Sequence, residues 1–169
     1  IYEGLVTYNP ATLDPEPGVA SRWEVGPDGK VYTFYLRNDA RYWNGDPVLA
    51  KHFRNTWLEV IDPETDAAYS FLFDVIEGVE AYRNGTTSDP ERVGIEVVSE
   101  RVLRVTLAQP ATHFLDVLAH HSFSPLHPKM RQAEDWSALP SILGNGPYYI
   151  VTRGEDELVL TRNELYWDR

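Results

Sequence analysis

The sequence contains no cysteine and a single methionine. Without cysteine there is no thiol catalysis, no disulfide staple and no thiolate metal site, and the redox compartment cannot be read from composition. Positive charge is also scarce: 15 Lys and Arg stand against 26 Asp and Glu, a formal net charge of −11. Phosphate backbones and anionic lipid attract basic surfaces, so no nucleic-acid or membrane-surface partner is expected. No apolar run approaches the roughly 18 residues of a membrane-crossing helix, and no basic start with an apolar core appears. Internal repeats, low-complexity tracts and a glycine-rich phosphate cradle are missing as well.

What is present is a chain of 169 residues, long enough for one compact domain that buries roughly 70 % of its unfolded surface. Ala20 to Val25 and Val31 to Arg37 read as a hairpin: Tyr32, Phe34 and Leu36 alternate with Val31, Thr33, Tyr35 and Arg37, and Asp28-Gly29 supplies the tight connection. Ile1 to Tyr8 is apolar and fits either a helix end or a strand, before a loop carrying Pro10, Pro15 and Pro17. Asn44-Gly45 marks a turn, after which Phe53, Trp57, Val60 and Ile61 fall on one helical face that ends near Asp62-Pro63. Two short helices are expected at Ala67 to Phe73 and Val75 to Tyr82. Gly94 to Val98 and Val102 to Leu107 form a second hairpin. Thr112 is the expected cap of a helix with Phe114, Leu115, Val117 and Leu118 on its apolar stripe, and a polar helix follows from Lys129 to Asp135. Tyr148 to Arg153 and Leu158 to Arg162 make a third hairpin around Gly154. Hairpins separated by helix clusters predict an α+β fold, a largely antiparallel sheet with helices packed on it.

Several residue sets carry chemistry at the right spacing. His113, Asp116 and His120 lie i, i+3, i+7 and could converge on a metal, with His121 and His127 nearby; a solvated polar face has the same spacing, and no metal is expected. Asp62, Glu64 and Asp66 alternate like the start of a calcium loop, but Pro63 intervenes and the later Gly and Glu are missing. Glu77 and Glu80 fit a carboxylate pair or an exposed acidic face. Ser122 and Ser124 follow His121 without the sequence of a nucleophile elbow. Asn84-Gly85-Thr86 fits a glycosylation sequon and a plain turn, and the turn is the expectation. The residues thus leave three readings open: a binding module, a small metal- or carboxylate-dependent hydrolase, and a free-standing interaction domain.

Five blocks resemble, in order, the peptide-binding family of extracellular solute-binding proteins. They are Tyr2-Glu-Gly-Leu5; Gly18-Val-Ala20 with Trp23-Glu24; Tyr32-Thr-Phe34 with Leu36-Arg37 and Asn44-Gly-Asp-Pro47; Asn145-Gly-Pro-Tyr148; and Asn163 with Tyr166-Trp167. Their expected roles are structural: Gly18, Gly45 and Gly146 in turns closed to other residues, Pro47 and Pro147 fixing φ, Trp23 and Trp167 buried. Where the family pattern has Thr, Ala and an acidic residue at the start of the following helix, this chain has Leu49, Ala50 and His52, which weakens that helix start.

The resemblance implies the substrate-binding component of an ABC importer for peptides or related solutes. Such a receptor is not an enzyme, needs no cofactor, acts outside the cytoplasmic membrane as a monomer, and hands its ligand to a permease after two lobes close. The chain resembles the small inserted domain, residues 1–145, followed by a hairpin, residues 146–169, that returns toward a larger lobe. Both ends are therefore expected to be cut from something longer. One ligand-binding residue carries over, Tyr69 in Asp62-Pro-Glu-Thr-Asp-Ala-Ala-Tyr69, matching a tyrosine that reaches the ligand cleft.

Overall fold

The computed structural model describes residues 1–133 and 142–168. Val6–Tyr8 is a strand, β1, paired antiparallel with β2, Pro15–Pro17, so the ambiguous first segment resolves as an edge hairpin in which proline is tolerated. The central sheet begins with β3, Ala20–Val25, and β4, Val31–Leu36, which face each other from Val25↔Tyr32 to Ala20↔Leu36. Between them Gly29 takes φ +69, the left-handed conformation that the Asp28-Gly29 turn requires. The second hairpin is β5, Ile95–Ser99, with β6, Val102–Thr106, and the four strands lie in the order β3-β4-β6-β5. Every pairing among the described strands is antiparallel. Residues two apart on one face place Tyr32, Phe34 and Leu36 in the core, opposite Leu103 and Val105 of β6.

Helix α1, Ala50–Val60, crosses this sheet with Phe53, Trp57 and the flanking Ile61 fully buried. Its start lacks a side-chain cap at Leu49, yet the orphan amides find partners: His52 Nδ1 accepts the Leu49 N–H at 3.2 Å and the Glu100 carbonyl accepts that of Ala50 at 2.9 Å. Trp57 anchors an aromatic cluster with Phe53, Phe73 and Phe123, and its indole N–H donates to the Phe123 carbonyl at 2.9 Å. Each such ring contributes about 1.5–3 kcal/mol by leaving water.

The two short helices fall later than their patterns predict. Ser70–Val75 is a 3-10 helix, and Gly78 at φ +75 interrupts the next stretch, so that α2 spans only Val79–Arg83. Helix α3, Phe114–Leu118, begins after His113 rather than after Thr112, and no side chain caps it. A 3-10 helix at His121–Phe123 precedes α4, Pro128–Arg131. The expected continuation of that last helix through Glu134 and Asp135 lies outside the described residues.

The family blocks near the two ends of the described chain meet in space. Gly146 N–H donates to the Ile1 carbonyl at 2.7 Å, and the Asn145 side chain bonds both the N–H and the C=O of Glu3. The buried Glu3 carboxylate accepts from the Trp167 indole at 2.7 Å and from the Tyr166 hydroxyl, while the Arg37 guanidinium lies 3.4 Å over the Trp167 ring. Burial raises the Glu3 carboxyl above its ordinary range, partly offset by those two donors and Arg37. Of the three glycines expected in special turns, only Gly45 has positive φ; Gly18 and Gly146 are required instead by close approach, a Cβ at Gly146 meeting the Ile1 carbonyl at 2.7 Å. Trp23 and Trp167 are half-buried rather than buried. The third hairpin, β7 (Tyr148–Arg153) with β8 (Leu158–Arg162), stands as a separate two-stranded sheet whose β8 residues are all exposed.

Candidate functional site

Tyr69 is held at the surface by the turn that leaves α1. The Asp62 carboxylate accepts the Glu64 N–H at 2.9 Å, Thr65 N–H returns to the Asp62 carbonyl, and Asp66 adopts φ +49. Asp62 thus serves as a turn cap. Tyr69 immediately precedes the 3-10 helix, its carbonyl accepting from Leu72 N–H at 3.1 Å. That helix buries Phe73 in the core and leaves Tyr69 47 % and Phe71 54 % exposed.

Adjacent exposed aromatic rings make a contiguous apolar patch, the kind of surface that interaction sites use. The Tyr69 ring has two imidazoles beside it, His120 at 4.9 Å and His121 at 5.7 Å between centroids, with Phe71 at 6.4 Å. His120 and His121 are themselves 4.1 Å apart. His120 also lines a mostly apolar groove of about 270 Å³ with Tyr8, Leu72, His113, Asp116 and Val117. Desolvation first, and the neighbouring His121 second, lower the His120 pKa and favour its neutral ring. An aromatic and imidazole ledge beside an apolar groove can stack a planar group and offer a phenol and ring nitrogens for hydrogen bonds.

The other chemical sets are not assembled as their spacing proposes. His113, Asp116 and His120 do line one groove, but α3 ends at Leu118 and His120 lies beyond it in an extended conformation, its Nδ1 accepting the Ser122 N–H at 3.3 Å. Among the described residues no three His, Asp or Glu side chains are placed to hold a metal ion. Glu77 lies before Gly78 and outside α2, so the helical geometry that would pair it with Glu80 is lost, and both are exposed. Asn84 and Thr86 close on each other as a turn, with Thr86 Oγ1 2.6 Å from Asn84 Oδ1. A larger recess of about 500 Å³ between α1 and β5 holds an ion pair, Arg54 to Glu91 at 2.6 Å, with Arg54 Nε also donating to the Ile95 carbonyl on the sheet edge. The residues missed in the sequence are His120 and His121 as neighbours of Tyr69. They lie some fifty positions away, and no local pattern joins them.

Three comparisons bear on the whole chain. Residues 14–169 match the family described as bacterial extracellular solute-binding proteins, family 5 Middle. The dipeptide-binding protein DppE of Bacillus subtilis is 35 % identical over 172 residues, covering 100 % of this chain and 31 % of that protein. The periplasmic oligopeptide-binding protein OppA of Escherichia coli is 35 % identical over 176 residues, with 99 % and 31 % covered. Among solved structures, Haemophilus influenzae OppA in complex with the peptide RPPGFSPFR superposes with a TM-score of 0.92 at 32 % identity, over 99 % of this chain and 33 % of that one. The chain therefore spans about a third of the length of these relatives.

Proposed function

Because the chain belongs to family 5 of the bacterial extracellular solute-binding proteins, we propose that it is part of the substrate-binding component of an ABC importer for peptides or related solutes. The observation that carries this reading is end-to-end agreement, in sequence and in backbone, with a protein solved around a bound peptide. The chain acts as a binding module, not as an enzyme, and works outside the cytoplasmic membrane. Residues 1–145 form the small domain inserted in one lobe, and residues 146–169 lead back toward the larger part of that lobe. The exposed β7–β8 hairpin, with Leu158, Val159 and Leu160 open to solvent, supports that division.

In this reading Tyr69 faces the ligand cleft, and His120 and His121 complete the ledge against which a peptide side chain packs. Ligand binds better to the closed arrangement of two lobes than to the open one, and so shifts the population toward the form that the permease reads. One lobe fragment cannot supply that difference by itself. The test is calorimetry on the longer polypeptide that contains this chain, titrated with a peptide mixture and then with its best member. Tyr69→Ala is expected to weaken that member about tenfold, the usual effect of truncating an interfacial tyrosine. The 169-residue chain alone should bind the same peptide far more weakly. Unchanged affinity in Tyr69→Ala removes Tyr69 from the site, whereas a longer polypeptide that binds no peptide at all overturns the functional reading.

A further inference from the structure

Three of the five histidines accept a backbone N–H at Nδ1. His52 takes that of Leu49 at 3.2 Å, His120 that of Ser122 at 3.3 Å, and His127 that of Lys129 at 3.1 Å. Each bond lies at a helix start: His52 is the third residue of α1, His120 precedes the His121–Phe123 turn, and His127 precedes α4. Reaching back to the cap amide from the third position is ordinarily the work of Glu or Gln. Here an imidazole does it, at the place where the family pattern and this chain part.

The chemistry of such a cap differs from that of a carboxylate or an amide. A backbone N–H can only donate, so the ring nitrogen facing it must keep its lone pair. The neutral ring then carries its hydrogen on Nε2, and His127 accordingly points Nε2 at Asp46 Oδ2, 2.9 Å away. Adding a proton places a second N–H against the first and removes the cap. We propose that His52 and His120 form a pair of acid-released helix caps, which hold the start of α1 and the 121–123 turn at neutral pH and let them open as the medium acidifies.

His52 and His127 share one cluster around Tyr42. His52 Nδ1 also faces the Tyr42 hydroxyl at 3.2 Å; His127 packs edge-on against Tyr42 at 4.7 Å and lies 6.4 Å from His52. Lys51 and His127 disfavour a charged His52 and Asp46 favours one, while Lys129 acts on Asp46 and Tyr2 on Tyr42. His120 faces Tyr69 and His121, with His113, Asp116 and Tyr8 across its groove. Burial pulls His52 down to about 4, and desolvation also lowers His120. A depressed histidine stabilises the fold fully above the ordinary imidazole value, and that stabilisation is lost as pH falls toward the folded-state value. Opening should stay local, because Leu126 N–H donating to Thr56 Oγ1 and Trp57 donating to the Phe123 carbonyl contain no titrating group. What it frees is the start of α1, the 121–123 turn and the imidazole beside Tyr69.

Amide exchange followed residue by residue on this chain, from about pH 7.5 to about pH 5, tests the proposal. Protection of Leu49 and Ser122, corrected for intrinsic rates, should fall by up to about tenfold per pH unit over the window in which each cap titrates, while β4 amides hold. In His120→Asn the side-chain oxygen preserves the cap without titrating, so protection at Ser122 should become insensitive to pH. Imidazole ¹⁵N shifts of the parent chain at neutral pH should report Nδ1 without hydrogen at His52 and His120, a readout independent of how the variant folds. Flat protection at Leu49 and Ser122 in the parent chain, an undiminished acid loss at Ser122 in His120→Asn, or hydrogen on Nδ1 of His52 or His120 overturns the proposal.

Discussion

Along β4, Tyr32, Phe34 and Leu36 are at most 6 % exposed, whereas along β8 the neighbouring Leu158, Val159 and Leu160 range from 40 to 53 %. Both strands are rich in β-branched, aromatic and leucine side chains, and both pair antiparallel with a hairpin partner. The difference is in what lies over them. Helix α1 and the Phe73–Phe123 stack cover one face of the central sheet, while β7 and β8 form a two-stranded ribbon, a form that is marginal in water without a covering layer. Strand chemistry therefore specifies pairing, and coverage is a separate property supplied from elsewhere in a polypeptide.

The largest expected effect separates the two regions directly. Phe34→Ala should cost about 3–5 kcal/mol in urea unfolding, because a fully buried ring between Leu103 and Trp23 leaves a cavity that neighbouring strands cannot close. A loss below about 1 kcal/mol would break the comparison, since the central sheet would then be no better packed than the ribbon.

A smaller, pH-dependent difference belongs to the joint between them, where Glu3 receives Tyr166 and Trp167 from just beyond β8. With its carboxyl raised by burial, Glu3 favours the fold most below the ordinary carboxylate range, and that contribution declines as pH rises through the raised value. In Glu3→Gln the amide oxygen accepts from Trp167 and the amide nitrogen donates to the Tyr166 hydroxyl, so both contacts persist without the ionisation. The expected outcome is a flatter profile of stability against pH for the variant; two superimposable profiles would refute it.

The smallest effect is on the ribbon. Leu160→Ser in this chain should change stability by less than about 0.5 kcal/mol, as exposed positions usually do. In a longer polypeptide whose remainder covers the hairpin, the same change should cost about 2 kcal/mol. Equal costs in both settings would mean that nothing is added over β8.

These contrasts mark how far the fold was legible from residue order. Hairpins at Asp28-Gly29 and around Gly154 follow from turn chemistry and a period of two, and the buried face of α1 follows from Phe53, Trp57 and Ile61, because each depends on neighbours a few positions apart. Gly78 escaped because a lone glycine in a helical pattern reads as tolerated, whereas here it takes φ +75 with the Arg92 carbonyl where a Cβ would be. Leu49 read as a lost cap because imidazole is not among the usual capping groups, yet His52 fills the role. Tyr69 is a candidate only through resemblance. The meeting of its ring with His120 and His121 depends on where α3 ends and how the chain turns after Ala119, which no spacing rule conveys.

The clasp of Ile1 and Glu3 with Asn145, Gly146 and Trp167 also has a topological meaning. The two end segments lie side by side, so a short linker joining them, with a new opening at the exposed Asn84-Gly85 turn, would interrupt no strand of the central sheet. Such a circular permutant would keep its β3-β4-β6-β5 order while exchanging which part of the chain emerges first from the ribosome.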